Sequence, residues 1–333
     1  MKLNDTTNPT SDLLSTNEAT SVGQEQHIEY VFFENNFVPY NQASINLRSP
    51  AFLYGLSIFE GIRGYYIAES NSISVFRMAD HYRRLLSNGR VVHMQPDYTV
   101  EELCDITEEL ILRNCHTQDI YIRPTLYKSG ENITPSFSDA ETTFCLWTKP
   151  LGNYLDLEKG LKICISNWRR LSDNSIPARI KAGGAYVNTA LAVTDARKNG
   201  FDDAILLTQD GVVSEGSAMN LFLVKDNVLF TPGKTEDILE GITRDTIITV
   251  AENELGVHTV ERTIDRTELY TADEAFFCGT GAEVAPIQSI DGRELFTLNQ
   301  TSLTRKIQAL YFQAVKNQLP KYSDWCSVIL CKS

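Results

Sequence analysis

The stretch that decides the fold is Ile176-Pro177-Ala178-Arg179-Ile180-Lys181-Ala182-Gly183-Gly184-Ala185-Tyr186. A second stretch, Ser214-Glu215-Gly216-Ser217-Ala218-Met219-Asn220-Leu221-Phe222, follows after a helical segment, a strand and an Asp210-Gly211 turn. The two glycines of the first stretch have no side chains, so a flat ligand ring can approach the backbone beside its lysine. The intervening helix, strand and turn can fold the glutamate of the second stretch back beside that lysine. Together the two stretches predict an amine that faces a carboxylate.

An amine that faces a carboxylate across a flat ring is the arrangement that pyridoxal 5′-phosphate requires. This cofactor forms a Schiff base with a lysine, and an acid pairs with its ring nitrogen. Taken singly, Lys-x-Gly-Gly is more often a surface loop, and Ser-Glu-Gly is more often a turn. Several ordered matches in one chain favour the cofactor site, with Lys181 as the lysine and Glu215 as the acid.

The same motifs resemble those of a known enzyme family. Lys181-Ala182-Gly183-Gly184-x-Tyr186, and Ser214-Glu215-Gly216 followed by Asn220-Leu221-Phe222, resemble the branched-chain aminotransferases, pyridoxal-phosphate enzymes of fold type IV. The resemblance extends over residues 30–313. It implies an α+β fold of two domains, like that of D-amino-acid aminotransferase. One domain is a small α/β unit, and the larger one has a mixed, barrel-like sheet.

The composition is that of an ordinary globular protein. A chain of 333 residues is long enough for two domains with their own cores. Its content of 42% hydrophobic and 22% charged residues is ordinary for a globular protein. A formal net charge of −13 argues against nucleic acid or an anionic membrane as a main partner. The seven cysteines form no CxxC pair and no Cys/His cluster, so they predict reduced core thiols and no metal site. Because no signal peptide or membrane-spanning apolar run is apparent, the expected location is the cytoplasm.

Three segments are expected along the chain. Residues 1–26 are rich in Ser, Thr, Asn and Glu and predict a disordered tail. A small N-terminal domain of residues 27–150 ends in the linker-like sequence Lys149-Pro150-Leu151-Gly152-Asn153-Tyr154. The larger, cofactor-binding domain is expected to take up residues 151–333.

Hydrophobic periodicity predicts several elements outside the motifs. A capping box begins a scaffold helix over residues 99–114. Strands and turns between residues 204 and 230 are expected to form a meander. A further helix over residues 186–199 is expected to turn four apolar residues inward: Val187, Ala190, Leu191 and Val193.

The resemblance assigns the cofactor-binding residues. Lys181 is expected to carry the cofactor and to move the substrate α-proton as a free amine. Glu215 is expected to keep the ring nitrogen protonated, and Tyr186 to bind the ring hydroxyl. The phosphate is expected to bind a helix arginine, the N-terminus of another helix and a turn threonine: Arg84, Ile242, Thr243 and Thr280.

The resemblance also implies a set of substrate-binding residues. Tyr121 and the Gly279-to-Ala282 turn, which includes Gly281, are expected to bind the substrate α-carboxylate. Arg123 shares a strand face with Tyr121, so it can reach a second carboxylate at the far end of the substrate. The other candidates border the pocket: Tyr54, Phe59, Arg63 and Tyr154. For Tyr54, a place in the sheet core is the alternative, and for Phe59 the core is favoured over the pocket.

The expected reaction transfers an amino group between branched-chain L-amino acids (Leu, Ile, Val) and 2-oxoglutarate, and yields 2-oxo acids and L-glutamate. The same fold and cofactor also serve D-amino-acid and (R)-amine transaminases and aminodeoxychorismate lyase, and a relative that has lost catalysis would be a binding module. Leu151 stands where the family often has a large aromatic residue, which leaves the side-chain preference open. The resemblance also implies a homodimer, whose active sites borrow a loop from the partner chain, with a higher homo-oligomer as the alternative.

Overall fold

A computed structural model describes residues 28–152, 157–295 and 301–331. The expected tail of residues 1–26 and the candidate residue Tyr154 lie outside these ranges. Within them the chain forms two β-sheets with helices packed against each. Of the helices in these ranges, none combines the length and the apolar character that a membrane span needs.

The elements are numbered in chain order. The strands before the linker are β1 (Tyr30–Phe33), β2 (Asn36–Pro39), β3 (Ser57–Phe59), β4 (Ile62–Ile67), β5 (Ser72–Phe76), β6 (Ile120–Lys128) and β7 (Thr142–Pro150). Those after it are β8 (Leu161–Arg169), β9 (Asp203–Leu207), β10 (Val213–Gly216), β11 (Asn220–Lys225), β12 (Val228–Thr231), β13 (Thr259–Glu261), β14 (Glu274–Gly279), β15 (Glu283–Ile290), β16 (Arg293–Glu294) and β17 (Cys326–Leu330). The α-helices are α1 (Pro50–Tyr54), α2 (Met78–Val91), α3 (Val100–Asn114), α4 (Tyr186–Lys198), α5 (Ile242–Leu255) and α6 (Leu303–Val315).

The first sheet has eight strands in the order β17-β5-β4-β6-β7-β1-β2, and β3 pairs with β6. All of these pairs are antiparallel. Helices α2 and α3 pack against this sheet, where Tyr82 and Leu110 join Ile62 and Ile122 in one core. The scaffold helix over residues 99–114 is confirmed as α3, with the predicted capping box at its start.

The second sheet has nine strands in the order β10-β9-β8-β15-β14-β11-β12-β13, and β16 pairs with β15. It mixes parallel pairs, such as β8 with β9, and antiparallel pairs, such as β11 with β14. Strands such as β9 and β11 are mostly apolar along their length because both of their faces are buried. Leu221 and Leu223 of β11 pack into one core, whereas Phe222 and Val224 pack into another with α5 and α6.

The predicted meander over residues 204–230 is only partly correct. The pairs β9 with β10 and β11 with β12 are antiparallel neighbours, as a meander requires. In contrast, β10 and β11 are separated by four strands in the sheet order, although the Gly216 N–H donates to the Met219 carbonyl oxygen at 2.7 Å in the turn between them. The sheet therefore curls back on itself, and Glu215 near the end of β10 lies close to the start of β11.

Helix α4 departs from expectation in the face that it exposes. Val187 and Leu191 are 65% and 39% exposed, although the apolar pattern predicts them inward. The buried residues are Ala192 and Ala196, which pack with Leu206 of β9. Small side chains on this face let the helix lie close to the sheet, and the larger apolar residues remain on the outside.

The segment around Lys181 joins the two sheets. The Phe59 N–H at the end of β3 donates to the Lys181 carbonyl oxygen at 3.1 Å. Further along, the Gly184 N–H donates to the Gly55 carbonyl oxygen at 3.2 Å. These two bonds align residues 181–184 with β3 and the residues just before it, so the segment that leads from β8 of the second sheet to α4 is fixed against the first sheet.

The glycine pair after the lysine serves this packing. A side chain on Gly183 would place its Cβ 2.3 Å from Ser57 Oγ, and one on Gly55 would place its Cβ 2.9 Å from Gly184 Cα. Neither glycine of the pair lines the cavity described below. The expectation that these glycines make room for a ligand ring is therefore wrong, because they make room for the segment that leads into β3.

The linker expected at residues 149–154 falls between the sheets, since β7 ends at Pro150 and β8 begins at Leu161. One strand departs from a simple division into residues 27–150 and 151–333. Strand β17 pairs antiparallel with β5, so the chain returns to the first sheet after α6.

We expect Gly55→Ala to destabilise the protein more than Gly256→Ala does. Both glycines end a helix in the left-handed region, with φ of 70° and 64°, so both substitutions carry a left-handed cost of about 1–2 kcal/mol. Only Gly55 has a neighbour in the way, and the clash with Gly184 should add about 1–3 kcal/mol. Urea unfolding of the two variants measures the difference. Equal losses would show that the close approach between the sheets is not tight.

Candidate active site

A cavity of about 430 Å³ lies where the Lys181 segment joins the two sheets. Its volume is in the range of small-molecule sites. Strands β3, β6 and β7 contribute to its lining from the first sheet, and β10, the start of α5 and the turn after β14 contribute from the second. Most of the predicted site residues line it: Phe59, Arg84, Tyr121, Arg123, Lys181, Tyr186, Glu215, Ile242, Thr243, Thr280 and Gly281.

Lys181 provides the amine of this cavity. Its Nζ donates to the Tyr186 hydroxyl at 2.9 Å and lies 5.2 Å from the centre of the Phe59 ring. The Phe59 and Tyr186 rings also pack together, with centroids 5.0 Å apart. Because Tyr186 begins α4 and Phe59 ends β3, the amine is held between a helix of one domain and a strand of the other.

Glu215 provides a buried carboxylate. Its Oε1 lies 2.8 Å from Arg170 Nη2, and its Oε2 accepts from Asn220 Nδ2 at 2.9 Å and from the Leu239 N–H at 3.1 Å. Burial raises the pKa of Glu215, and Arg170 is the strongest opposing influence. The side chain of Asn220 also explains Gly241, where a Cβ would lie 2.0 Å from Asn220 Oδ1.

Sequence reasoning assigned no role to Arg170 or Asn220. The asparagine lies within the Ser214-to-Phe222 motif, and an amide five residues after a glutamate is a weak signal for a shared hydrogen bond. The arginine follows another arginine at the end of β8, and no local pattern distinguishes the one that faces the cavity. Their pairing with Glu215 depends on the curl of the second sheet.

Arg84 is held by a buried carboxylate. Its Nε and Nη2 donate to the two oxygens of Glu60, each at 2.7 Å, and His81 Nδ1 lies 2.9 Å from Glu60 Oε2. Burial alone would disfavour ionisation of Glu60, but Arg84 and His81 together lower its pKa to about 2. Burial also lowers the pKa of His81, although Glu60 opposes this shift. Glu60 is missing from the predicted site, and a charge inside the apolar run from Phe59 to Ile62 is the signal that could have identified it.

The N-terminus of α5 lies beside Arg84. Arg84 Nη1 donates to the Glu240 carbonyl oxygen at 2.7 Å, and the helix begins two residues later at Ile242. No side chain caps this end of the helix, and both Ile242 and Thr243 line the cavity. A guanidinium beside an uncapped helix N-terminus is a suitable site for an anion such as phosphate.

Arg123 lies among aromatic rings on the other side of the cavity. Its guanidinium carbon is 4.0 Å from the centre of the Phe59 ring, 5.1 Å from Tyr121 and 5.8 Å from Trp147. Trp147 is its direct neighbour across the β6–β7 pair. Arg123 Nε is buried and has no hydrogen-bond partner among the residues that the structure describes. Such a group favours a carboxylate ligand, since an unsatisfied buried donor is costly.

Three predicted substrate residues do not line the cavity. Tyr54 is 43% exposed, and its hydroxyl donates to the backbone of a neighbouring loop. Ala282 is buried and packs in a hydrophobic core cluster of the second sheet. Arg63 is 1% exposed and donates to the carbonyl oxygens of Leu151 and Gly281 at 3.1 and 3.5 Å, both in residues that line the cavity. Arg63 thus supports the wall from behind, and direct substrate contact by these three residues stays a prediction.

The cavity therefore combines an amine, a carboxylate, an anion site and a further guanidinium. The amine and the carboxylate come from the two stretches that the sequence singles out. Within the described ranges, no group of three or more His, Cys, Asp and Glu side chains is arranged to hold a metal ion. The arrangement suits an organic cofactor with a phosphate group and a substrate with carboxylates.

Residues 57–290 match the protein-family model described as Amino-transferase class IV. The chain belongs to this family. A probable branched-chain-amino-acid aminotransferase from Aquifex aeolicus is 42% identical over 305 residues, which are 92% of this chain and 98% of that protein. The branched-chain-amino-acid aminotransferase of Escherichia coli K12 is 36% identical over 85% of this chain and 92% of its own length.

Solved structures are similar to this class IV aminotransferase over nearly the whole chain. The branched-chain aminotransferase from Thermoproteus uzoniensis, solved with norvaline, has a TM-score of 0.86 and 38% identity, and covers 91% of this chain and 99% of its own. The enzyme from Thermobaculum terrenum, solved in its PLP form, has a TM-score of 0.87 and 35% identity, with coverage of 92% and 99%. These similarities confirm the predicted family resemblance and the two-domain architecture of fold type IV.

Proposed function

We propose that this class IV aminotransferase exchanges amino groups between branched-chain L-amino acids and 2-oxoglutarate, with pyridoxal 5′-phosphate as cofactor. The observation that carries the proposal is one cavity in which the Lys181 amine, the buried Glu215 carboxylate and the aromatic-lined Arg123 guanidinium occur together. The similarity to branched-chain aminotransferases over nearly the whole chain supports the same reaction. A panel of amino donors, assayed with 2-oxoglutarate, tests the substrate class directly.

The residues of the cavity fit pyridoxal phosphate at three places. Lys181 can carry the cofactor, and Tyr186 beside it can bind the ring hydroxyl. Glu215 is a buried acid for the ring nitrogen. Arg84, with the backbone of Ile242 and Thr243 and the side chain of Thr280, can hold the phosphate: the guanidinium lies beside an uncapped helix N-terminus, and Thr280 lines the same cavity. When bound, the cofactor supplies an electron-accepting ring that stabilises negative charge on the substrate α-carbon.

The residues of this chain supply proton transfer and orientation. Lys181 moves the proton from the substrate α-carbon, and its amine is within hydrogen-bond distance of a phenol that can orient it. Glu215 holds a proton on the ring nitrogen by remaining ionised. Phe59 and Tyr186 pack around the amine and limit the access of water to it.

The substrate side of the cavity can accept two kinds of side chain. Tyr121 and the turn that contains Gly281 are placed to bind the α-carboxylate. An apolar wall of Phe59, Trp147 and Leu151 suits a branched aliphatic side chain. Arg123 suits the second carboxylate of glutamate or 2-oxoglutarate, because a buried carboxylate requires a cation.

Lys181→Ala should abolish turnover and leave at most non-covalent cofactor binding, because no other group in the cavity is an amine at the same position. After borohydride reduction, mass spectrometry should find the cofactor attached to the parent protein at residue 181 and absent from the variant. Lys162→Ala, a change to an exposed lysine of β8, should behave like the parent. Multiple-turnover transamination by the Lys181 variant without an added amine would contradict the assignment.

Arg123→Leu should impair the half-reaction with glutamate and leave the half-reaction with leucine largely intact. Truncating one member of a buried charge pair costs about 2–5 kcal/mol, so the selective loss should be at least roughly thirtyfold. Single-turnover rates for each donor, followed by cofactor absorbance, measure it.

The matched control for this prediction is Lys149→Leu, since Lys149 is another cation that lines the cavity. It should show no selective loss. Selective loss in the Lys149 variant would move the second carboxylate to that residue, and equal losses for both donors in the Arg123 variant would mean that Arg123 serves the α-carboxylate or the fold.

We also propose that the chain forms a homodimer through one exposed surface. The apolar patch, as we name it, consists of exposed side chains near α1, in the loop after β6 and at the start of α4: Leu47, Phe52, Ile133 and Val187. These segments are neighbours, because Gly184 contacts Gly55 after α1, and Tyr54 of α1 donates to the Ile133 carbonyl oxygen. Contiguous exposed apolar surface marks an interaction site, and a second copy is the occupant that the resemblance implies.

The parent protein should therefore sediment as a dimer, and Phe52→Asp should weaken the dimer at least about tenfold, because burying an unpaired carboxylate is costly. Leu330→Asp is the control, since Leu330 is as exposed as Phe52 but lies on β17, away from the patch. Analytical ultracentrifugation of the three proteins tests this surface. A monomeric parent, or equal weakening by both changes, would contradict it.

A cytoplasmic location completes the proposed function. All seven cysteines are free thiols, and disulfides are rare in that compartment. Subcellular fractionation tests the location, and recovery from an oxidising compartment would contradict it.

A further inference from the structure

Arg170 is fixed at the edge of the cavity by several contacts. It follows β8, its backbone N–H donates to the Leu207 carbonyl oxygen at 2.9 Å, and its Nε donates to the Asp237 carbonyl oxygen at 3.1 Å. Its Nη2 lies 2.8 Å from Glu215 Oε1. The side chain is only 12% exposed, so its direction is set by the protein and not by solvent.

The acceptor positions of Glu215 show what this contact leaves for a ligand. A carboxylate offers about four acceptor positions, two on each oxygen. On Oε2, Asn220 Nδ2 and the Leu239 N–H occupy two. On Oε1, Arg170 occupies one. The position that remains for a ring N–H is on Oε1, the same oxygen that Arg170 holds.

The charge of Arg170 opposes the protonation of Glu215. Burial raises the pKa of Glu215 and so favours the neutral acid. Arg170 is the largest influence in the opposite direction, whereas Lys181 and Arg244 act more weakly, and Arg244 already pairs with Glu261 at 2.7 Å. The Glu215 carboxylate would then lie between two positive charges, the Arg170 guanidinium behind it and a protonated ring nitrogen in front of it. This order of charges favours the ionised pair of carboxylate and ring nitrogen over the neutral pair.

We propose that Arg170 is a positioning residue for the proposed transamination: it holds Glu215 in place and ionised, as the charged partner of the cofactor ring nitrogen. This inference rests on the proposed function, because it requires that pyridoxal phosphate binds with its ring at Glu215. It adds to the Lys181–Glu215 pair a cation that touches the carboxylate and not the substrate.

The first test measures the protonation of the ring nitrogen. The parent, Arg170→Met and Arg170→Lys are reconstituted with pyridoxal phosphate labelled with ¹⁵N in its ring. The ¹⁵N chemical shift should show a protonated nitrogen in the parent and in Arg170→Lys, which retains a cation. In Arg170→Met it should move towards the shift of the unprotonated ring. Arg169→Met is the matched control, since Arg169 is the exposed neighbour, and its shift should equal that of the parent. An unchanged shift in Arg170→Met would overturn the proposal.

The second test separates action through Glu215 from a general effect on the fold. Arg170→Met should lower kcat roughly tenfold to a hundredfold, as expected for loss of a hydrogen bond to a charged group. In a Glu215→Gln background, the Arg170→Met change should lower kcat less than about twofold. The carboxylate through which Arg170 acts is already absent in that background. Equal losses in both backgrounds would overturn the proposal and assign Arg170 a contact of its own with the ligand or the fold.

Failure of the proposed function is visible separately in these experiments. If the parent itself neither binds pyridoxal phosphate nor transfers amino groups, the proposed function fails and the proposal for Arg170 fails with it. If the parent does both and only the variant comparisons fail, the proposed function stands and Arg170 alone is wrongly assigned. Thermal midpoints of all variants, compared with that of the parent, identify any loss of activity that comes from unfolding.

Discussion

The backbone pairing between the Lys181 segment and β3 is the interaction on which the rest of the structure depends. It joins the two sheets through bonds from the Phe59 N–H to the Lys181 carbonyl oxygen and from the Gly184 N–H to the Gly55 carbonyl oxygen. The two segments approach so closely that a Cβ on Gly55 would lie 2.9 Å from Gly184 Cα and one on Gly183 would lie 2.3 Å from Ser57 Oγ, which explains glycine at positions 55 and 183. Because residues of both sheets line the cavity, it forms only when the two sheets are packed together.

Two charged groups that line the cavity, Arg84 and Glu215, follow a common rule, in which a second charge pairs with each from behind. Glu60 holds Arg84, and Arg170 holds Glu215. Removing one member of such a pair leaves an uncompensated buried charge, so the pairs are costly to break even where they add little net stability. What they provide is direction, since a side chain fixed from behind presents its free donors or lone pairs to a ligand without further ordering. The backing residues are therefore as much a part of the site as those that line it.

The sequence predicts the parts of this protein that depend on local patterns or on a family motif. The capping box of α3 is such a part, and Lys181 and Glu215 do lie in one cavity. The sequence did not predict Arg170 behind Glu215 or Glu60 behind Arg84, because both pairs form between segments far apart in the chain. It also gave the wrong face for α4, where the helical period leaves open which apolar stripe is buried; the small alanines pack on the sheet, and Val187 faces outward.

The proposed phosphate site shows how geometry can replace net charge. Glu60 neutralises Arg84, and burial lowers the pKa of His81 and so disfavours a positive charge on it, so this buried group of three carries little net charge. Attraction for an anion must then come from directed donors. Glu60 and the Glu240 carbonyl oxygen use three of the five N–H donors of the arginine, which leaves two for a ligand beside the N–H groups at the start of α5. A site of this kind discriminates by shape, because a small inorganic anion gains little from a neutral cluster, whereas a phosphate tethered to a cofactor is delivered to the donors in a fixed orientation.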